Sequence, residues 1–138
     1  MQTVLSVQTS GAGLHEITPQ VADWAARSRR SGLLTLFLRH SSASLLVQEN
    51  ADPDVCRDLD AFFRRLVPAA DDPAMAWLTH ISEGPDDMPA HIRAALLPVS
   101  LSIPVSAGRL ALGTWQGIWL FEHRTRGRRR EIALHLGA

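Results

Sequence analysis

The chain has 138 residues, fourteen arginines against fourteen acids, 46% apolar and 20% charged residues. That size predicts one domain, residues 1–138, able to bury a core without disulfides or a structural metal, and the apolar share excludes a disordered chain. There is no lysine, which excludes a lysine nucleophile, a Schiff base or a P-loop lysine, and one cysteine, Cys56, which excludes an intrachain disulfide and fits a reducing compartment.

Residues 2–9 read as a first strand, broken by Gly11 and Gly13. Thr18-Pro19 reads as a helix cap and first helical residue, followed by Val21, Trp24 and Ala25 on one face. Residues 33–38 form a short continuous apolar run and predict a buried strand, with residues 45–48 continuing the sheet. Asp52-Pro53 repeats the cap signal. Val55, Leu59, Phe62, Phe63 and Leu66 then make an amphipathic helix that Pro68 stops. Residues 69–76 predict a loop, and Asp87 caps a third helix over 88–97. Strands follow at 99–105, 109–112 and 117–123, the first two joined by an Ala107-Gly108 turn, and a terminal strand covers 130–136. Strands outnumber helices, so the expectation is an α+β fold with a mostly antiparallel sheet covered by about three helices. The start has neither the basic flank nor the apolar core of a secretory signal, and no run approaches the ~20 apolar residues of a membrane span. A cytoplasmic protein without membrane partners is expected.

The neutral total hides a segregation: four arginines face two acids in residues 1–48, three face ten in 49–87, and seven face two in 88–138. Within the acidic middle, His80 and His91 bracket Glu83, Asp86 and Asp87. With His40, at a strand end, they could supply three imidazoles and leave a fourth tetrahedral position open, as at a catalytic zinc. Glu49, Asp86 or Asp87 could then serve as proton acceptors. The alternative is that Asp87 merely caps its helix and His91 is an ordinary helix residue. A second chemistry is anion binding, by the helix starts at 52 and 88, by the turn Gly113-Thr114-Trp115-Gln116-Gly117, and by Arg39 and Arg93. The alternative for that turn, and the favoured one, is a tight bend with Trp115 in the core. Residues 124–130 hold five arginines but read as a polar hairpin loop, and no nucleic-acid partner is expected. His15, His123 and His135 read as structural or surface residues, and Cys56 as packing or surface. Ser41 or Ser42 could form a hydrolase triad on paper, but no GxSxG elbow supports it.

The segments HSSASLLVQENADPDVCRDL, THISEGPDDMPAHIRAALLPVSLSIPV and GRLALGTWQGIWLFEHR closely resemble the YjbQ family, and GLHEIT extends the resemblance toward the N-terminus. The resemblance implies a compact α+β homotrimer with a polar pocket near subunit boundaries where a divalent metal can bind. Zinc is the first expectation, with magnesium the alternative for a diphosphate substrate. Carried over by motif, the metal histidines are His40, His80 and His91. The accompanying residues are Ser41, Ser42, Glu49, Asn50, Asp52, Glu83, Asp86, Asp87, Thr114 and Gln116. Members are often labelled secondary thiamine-phosphate synthases. The resemblance therefore implies a small phosphorylated substrate and a transferase joining a pyrimidine diphosphate to a thiazole phosphate. A metal-dependent hydrolase or lyase, and a non-enzymatic trimeric metal- or ligand-binding module, are the competing expectations.

Overall fold

The computed structural model describes residues 1–138. Its elements are β1 (Gln2–Gln8), β2 (Gly13–Glu16), α1 (Thr18–Ser28), β3 (Gly32–Leu38), β4 (Ala43–Glu49), α2 (Pro53–Leu66), α3 (Asp87–Leu96), β5 (Ser100–Ser106), β6 (Arg109–Leu110), β7 (Gln116–Glu122) and β8 (Arg129–Gly137). A single 3-10 turn, Pro73–Met75, interrupts the loop between α2 and α3. Every strand pair is antiparallel. The strands form a five-stranded sheet, β1-β8-β3-β5-β6, and a three-stranded sheet, β2-β7-β4. The α+β expectation is met. No helix is long and apolar enough to cross a membrane.

Side-chain alternation decides which face is buried. Leu34, Leu36 and Leu38 of β3 lie opposite Leu136, Leu134 and Ile132 of β8 in register. All six point into one core shared with Leu45 of β4, Ile118 and Leu120 of β7, and Ile17 and Val21 at the start of α1. Fully burying each such side chain contributes about 1.5–3 kcal/mol. The Ala107-Gly108 turn has positive φ at both residues, 48° and 80°, the primed geometry that matches the twist of a two-residue hairpin.

Four local expectations are corrected. Ile17, not Thr18, occupies the N-cap of α1. The Thr18 hydroxyl instead accepts the Ile118 N–H at 2.8 Å and donates to Glu16 at 2.8 Å, which ties the helix start to β7. Strand β2 has no counterpart in the sequence reading, because four residues beginning in a glycine carry no readable period. Residues 45–48 do form a strand, but in the smaller sheet. The arginine-rich 124–130 segment is not a hairpin, since β7 and β8 lie in different sheets and the segment crosses between them.

The second helix begins as expected, with the Asp52 carboxylate accepting the Asp54 N–H at 2.9 Å. Its apolar stripe is only partly covered. Phe63 meets Phe121 edge-on at 5.8 Å, while Phe62 and Leu66 stay exposed.

Candidate metal centre

The start of α3 places Asp87 and His91 one turn apart on the same helix face. The preceding loop brings His80 to the same spot. That loop is fastened by Ala70 N–H on the Pro85 carbonyl at 2.8 Å and by the buried Met75, and it turns at Gly84, where φ is 101°. The result is three donor groups, His80, Asp87 and His91, whose ligating atoms all lie within 4.8 Å of one another. His80 Nε2 stands 3.0 Å from Asp87 Oδ2, and His91 Nε2 stands 3.4 Å from Asp87 Oδ1. Ligands at about 2.0–2.1 Å from a tetrahedral ion are separated by about 3.3 Å, so these spacings suit a single metal.

Hydrogen bonding prepares the atoms. His91 Nδ1 lies 2.9 Å from the Ser41 carbonyl. A carbonyl only accepts, so Nδ1 carries the proton and the Nε2 lone pair faces Asp87 and His80. Asp87 is 2% exposed. Burial pushes its carboxyl up, but the neighbouring His91 ring, the His80 hydrogen bond and Arg124 outweigh burial and hold it below the usual carboxylate range. Arg124 donates from Nη1 to Asp87 Oδ1 at 2.7 Å and from Nε to Asp86 Oδ2 at 2.9 Å. Burial also opposes ionisation of Asp86, yet Arg124 and the Thr125 backbone and hydroxyl lower it to about 2. Two carboxylates against one guanidinium leave a net negative charge beside two imidazoles. That donor set and charge fit a borderline divalent cation. The expectation that Asp87 only caps its helix is corrected: Asp86 occupies the N-cap, with no side-chain cap bond, and Asp87 is already helical.

His40 stands apart from this group. Its Nε2 accepts the Glu131 backbone N–H at 2.8 Å, so that nitrogen is occupied, and burial with Arg130 nearby lowers its pKa. In this chain the donor that joins His80 and His91 is the Asp87 carboxylate. His40 and His91 do share the wall of a shallow hollow with Ser41.

The other sequence candidates fall into separate places. Ser42 is buried in an ion-pair network. There Arg130 donates from Nη2 to Ser42 Oγ at 2.9 Å and from Nε to Glu122 Oε1 at 2.8 Å, and Thr9 donates to Glu122 at 2.9 Å. Ser41 is exposed and contributes its carbonyl to His91. Arg39 faces Glu131 at 3.4 Å on the surface. Glu49, Asn50, Asp52, Thr114 and Gln116 gather at the other end of β4. Asn50 Nδ2 donates to the carbonyls of Thr114 and Gln116 at 3.4 and 3.3 Å, and Glu49 accepts the Ala51 N–H at 3.3 Å. A seven-residue strand spans about 20 Å, so within one chain this group and the His80–Asp87–His91 group are far apart. A Cβ at Gly117 would come 2.7 Å from Glu16 Oε2 and 3.1 Å from Asn50 Cβ, so that end is closely packed around the glycine. Trp115 is 65% exposed, which corrects the expectation of a core tryptophan.

Arg93 lies elsewhere again, behind α3. It donates from Nη2 to the Val67 carbonyl at 2.7 Å. It shares a cavity wall with His123, which sequence reasoning treats as merely structural. Arg124 also escapes sequence reasoning, because nothing in a run of five arginines singles out the one that turns back to α3. Burial and the nearby acids Glu16 and Glu49 raise the Cys56 thiol, which disfavours the thiolate.

Fold and site together define a small two-sheet α+β protein with a helix-borne His–Asp–His cluster. The family model described as UPF0047 protein YjbQ-like matches residues 3–137, and the chain belongs to that family. A relative from Synechocystis sp., UPF0047 protein sll1880, is 48% identical over 136 residues, covering 98% of this chain and 90% of the relative. UPF0047 protein YjbQ of Escherichia coli O157:H7 is 44% identical and covers 95% and 93% respectively. Among solved structures, the conserved hypothetical protein TT1486 from Thermus thermophilus superimposes with a TM-score of 0.84 at 32% identity, over 98% of this chain and 99% of that one. Hypothetical protein APE1520 from Aeropyrum pernix gives 0.87 at 27% identity, over 100% and 98%.

Proposed function

We propose that this protein binds one divalent cation through His80, Asp87 and His91 and uses it on a small phosphorylated compound. The convergence of those three donors, with the His91 tautomer fixed by Ser41, carries the reading. Zinc suits two imidazoles and a carboxylate best. A divalent ion there supplies Lewis-acid stabilisation of negative oxygen. The residues of the chain do the rest. Arg124 holds Asp86 and Asp87 ionised, Ser41 orients His91, and His80, on the exposed side, leaves the centre open to a ligand.

Thiamine-phosphate formation is the reaction to assay first. In it a thiazole nitrogen forms a bond to the pyrimidine methylene carbon, the carbon–oxygen bond to diphosphate breaks, and pyrophosphate leaves with the electron pair. We further propose that self-association completes the pocket. A trimer could set the Glu49–Gln116 end of one chain against the His80–Asp87–His91 centre of the next, which would explain why motif residues about 20 Å apart occur together. Light scattering tests the assembly.

The central test is elemental analysis of purified protein together with an assay of the two thiamine precursors. About one equivalent of metal in the parent and little in His80→Ala supports the site. Unchanged metal content in His80→Ala refutes it. Metal binding without turnover of the two precursors would retain the site and discard the thiamine reaction.

A further inference from the structure

Behind α3, away from the three metal donors, a half-open cavity of about 450 Å³ is lined by the end of α2, by α3 and by the residues that follow β7. Arg64, Arg93, His123, Thr125 and Asp86, the last already paired with Arg124, supply its polar wall, and Ala69 and Pro89 supply apolar surface. Two buried donor positions there have no partner: Nε of Arg93 and Nδ1 of His123. His123 is 1% exposed. An orphaned polar atom in such a place is costly unless something completes it.

The His123 tautomer follows from its neighbour. Ser44 is fully buried, and its hydroxyl meets only His123 Nε2, at 2.9 Å. If Ser44 donates, one group is left over, the His123 Nδ1–H. If Nε2 donates instead, both the Ser44 hydrogen and the Nδ1 lone pair are stranded. The first arrangement is favoured, so the ring of His123, which lines the cavity, carries its unpaired N–H at Nδ1. Burial, with Arg93 and Arg130 nearby, lowers its pKa to about 3, so the ring is neutral at neutral pH.

The charges also lack closure. Arg93 has no carboxylate in hydrogen-bond contact, although Asp60 and Asp86 are close enough to attract it and Arg64 close enough to repel it. Of the acids in the neighbourhood, Asp60 pairs with Arg64 along α2, and Asp86 is committed to Arg124 and Thr125. Thr125 already donates its hydroxyl to Asp86, which leaves Arg93 and His123 as the free donors.

We propose that this cavity binds a small organic phosphate whose oxygens accept from Arg93 Nε–H and His123 Nδ1–H beside the Arg64 guanidinium. The two cations and a neutral N–H donor suit a dianion. The volume exceeds what a bare phosphate fills and falls within the range of small-molecule sites. Ala69 and Pro89 would contact the organic portion. The site is separate from the metal centre and does not depend on it, although the consecutive residues Asp86 and Asp87 place the two back to back.

The test uses phenyl phosphate as the probe on full-length, chelator-treated protein, with calorimetry and nitrogen-detected histidine spectra. Expected results are saturable binding, movement of the His123 ring resonances, and affinity reduced about tenfold or more in Arg93→Met, the loss anticipated for a charge-assisted hydrogen bond. Inorganic phosphate and the monoanion benzoate should bind severalfold more weakly. Arg64→Met alters a side chain that is 59% exposed, so it should fold normally and weaken binding severalfold even if Arg93→Met does not fold. Absence of binding, unmoved His123 resonances, wild-type affinity in Arg64→Met, or benzoate binding as tightly as phenyl phosphate would overturn the proposal. Binding that appears only after zinc is restored would also overturn it, by moving the ligand to the metal.

Discussion

Two arginine–carboxylate centres draw their arginines, Arg124 and Arg130, from one short segment and behave differently. Arg130 and Glu122 are sealed at 3% and 0% exposure, with Ser42 and Thr9 completing their hydrogen bonds. Arg124 grips Asp86 and Asp87 just as firmly, but Asp87 also faces two imidazole nitrogens that are open to solvent on the His80 side. The first centre leaves no fully buried side-chain polar atom of Arg130, Glu122, Ser42 or Thr9 without a partner and holds the two sheets together where β7, β8, β1 and the approach to β4 meet. The second combines excess negative charge with converging lone pairs, which a cation can relieve. A buried ion pair by itself therefore says little about function. What marks a candidate site is the set of ligating atoms that the ion pair fixes in place and leaves available.

The comparison can be broken at the sealed centre first. Arg130→Ala strands the Glu122 carboxylate in the core and should cost about 3–5 kcal/mol in urea unfolding; a loss under about 1 kcal/mol would show that the network is not structural.

Acid should produce the next effect, at the buried His123 beside that network. Its folded pKa, about 3, lies below the ordinary 6.5. The unfolded chain thus binds the proton first, and stability falls as pH drops from about 6.5 toward 3. The contribution is at most about 1.4 kcal/mol per pH unit for one proton. Chemical denaturation at pH 6, 5 and 4 measures the slope, which should diminish in His123→Phe.

At the open centre the expected order reverses. His80→Ala should lower zinc affinity about 100-fold, near 2.7 kcal/mol by the affinity relation, while changing the stability of metal-free protein by less than about 1 kcal/mol. Competition against a chromogenic chelator, paired with an unfolding curve, reads both. A large stability loss with intact zinc affinity would make this centre structural, like its neighbour.

The smallest change is expected for Arg39→Ala. Its contact with Glu131 is 3.4 Å long, with both side chains about half exposed. Unfolding should shift by no more than about 0.5 kcal/mol, and metal content should stay the same.

Much of the fold was legible because its signals are local. The continuous apolar run at 33–38, the alternation in 130–136, the Asp52-Pro53 cap and the Ala107-Gly108 turn each depend on near neighbours, and the structure bears them out. What failed was non-local. Thr18 reads as a cap until Ile118, a hundred residues away, claims its hydroxyl. Residues 124–130 read as a hairpin until the flanking strands separate into two sheets. Trp115 reads as core because hydrophobicity alone cannot tell which side of a bend faces outward.

The candidate site divides in the same way. Its cast is written in the amino-acid order: histidines at 80 and 91 around a run of acids, family motifs across the chain, and no lysine to share the cationic roles with arginine. One helical turn sets the spacing of Asp87 and His91, but sequence reading places Asp87 at the cap and does not pair it with His91 as a ligand. Who meets whom came from packing. The folded chain brings Asp87 rather than His40 beside His80 and His91, turns Arg124 back onto α3, and sets Glu49 and Gln116 at the far end of β4. It also leaves Arg93 Nε and His123 Nδ1 unpartnered, on two residues of one cavity wall. Composition and local spacing fix which chemistry is available. Side-chain direction, sheet membership and competition for each hydrogen bond are settled only when distant segments pack.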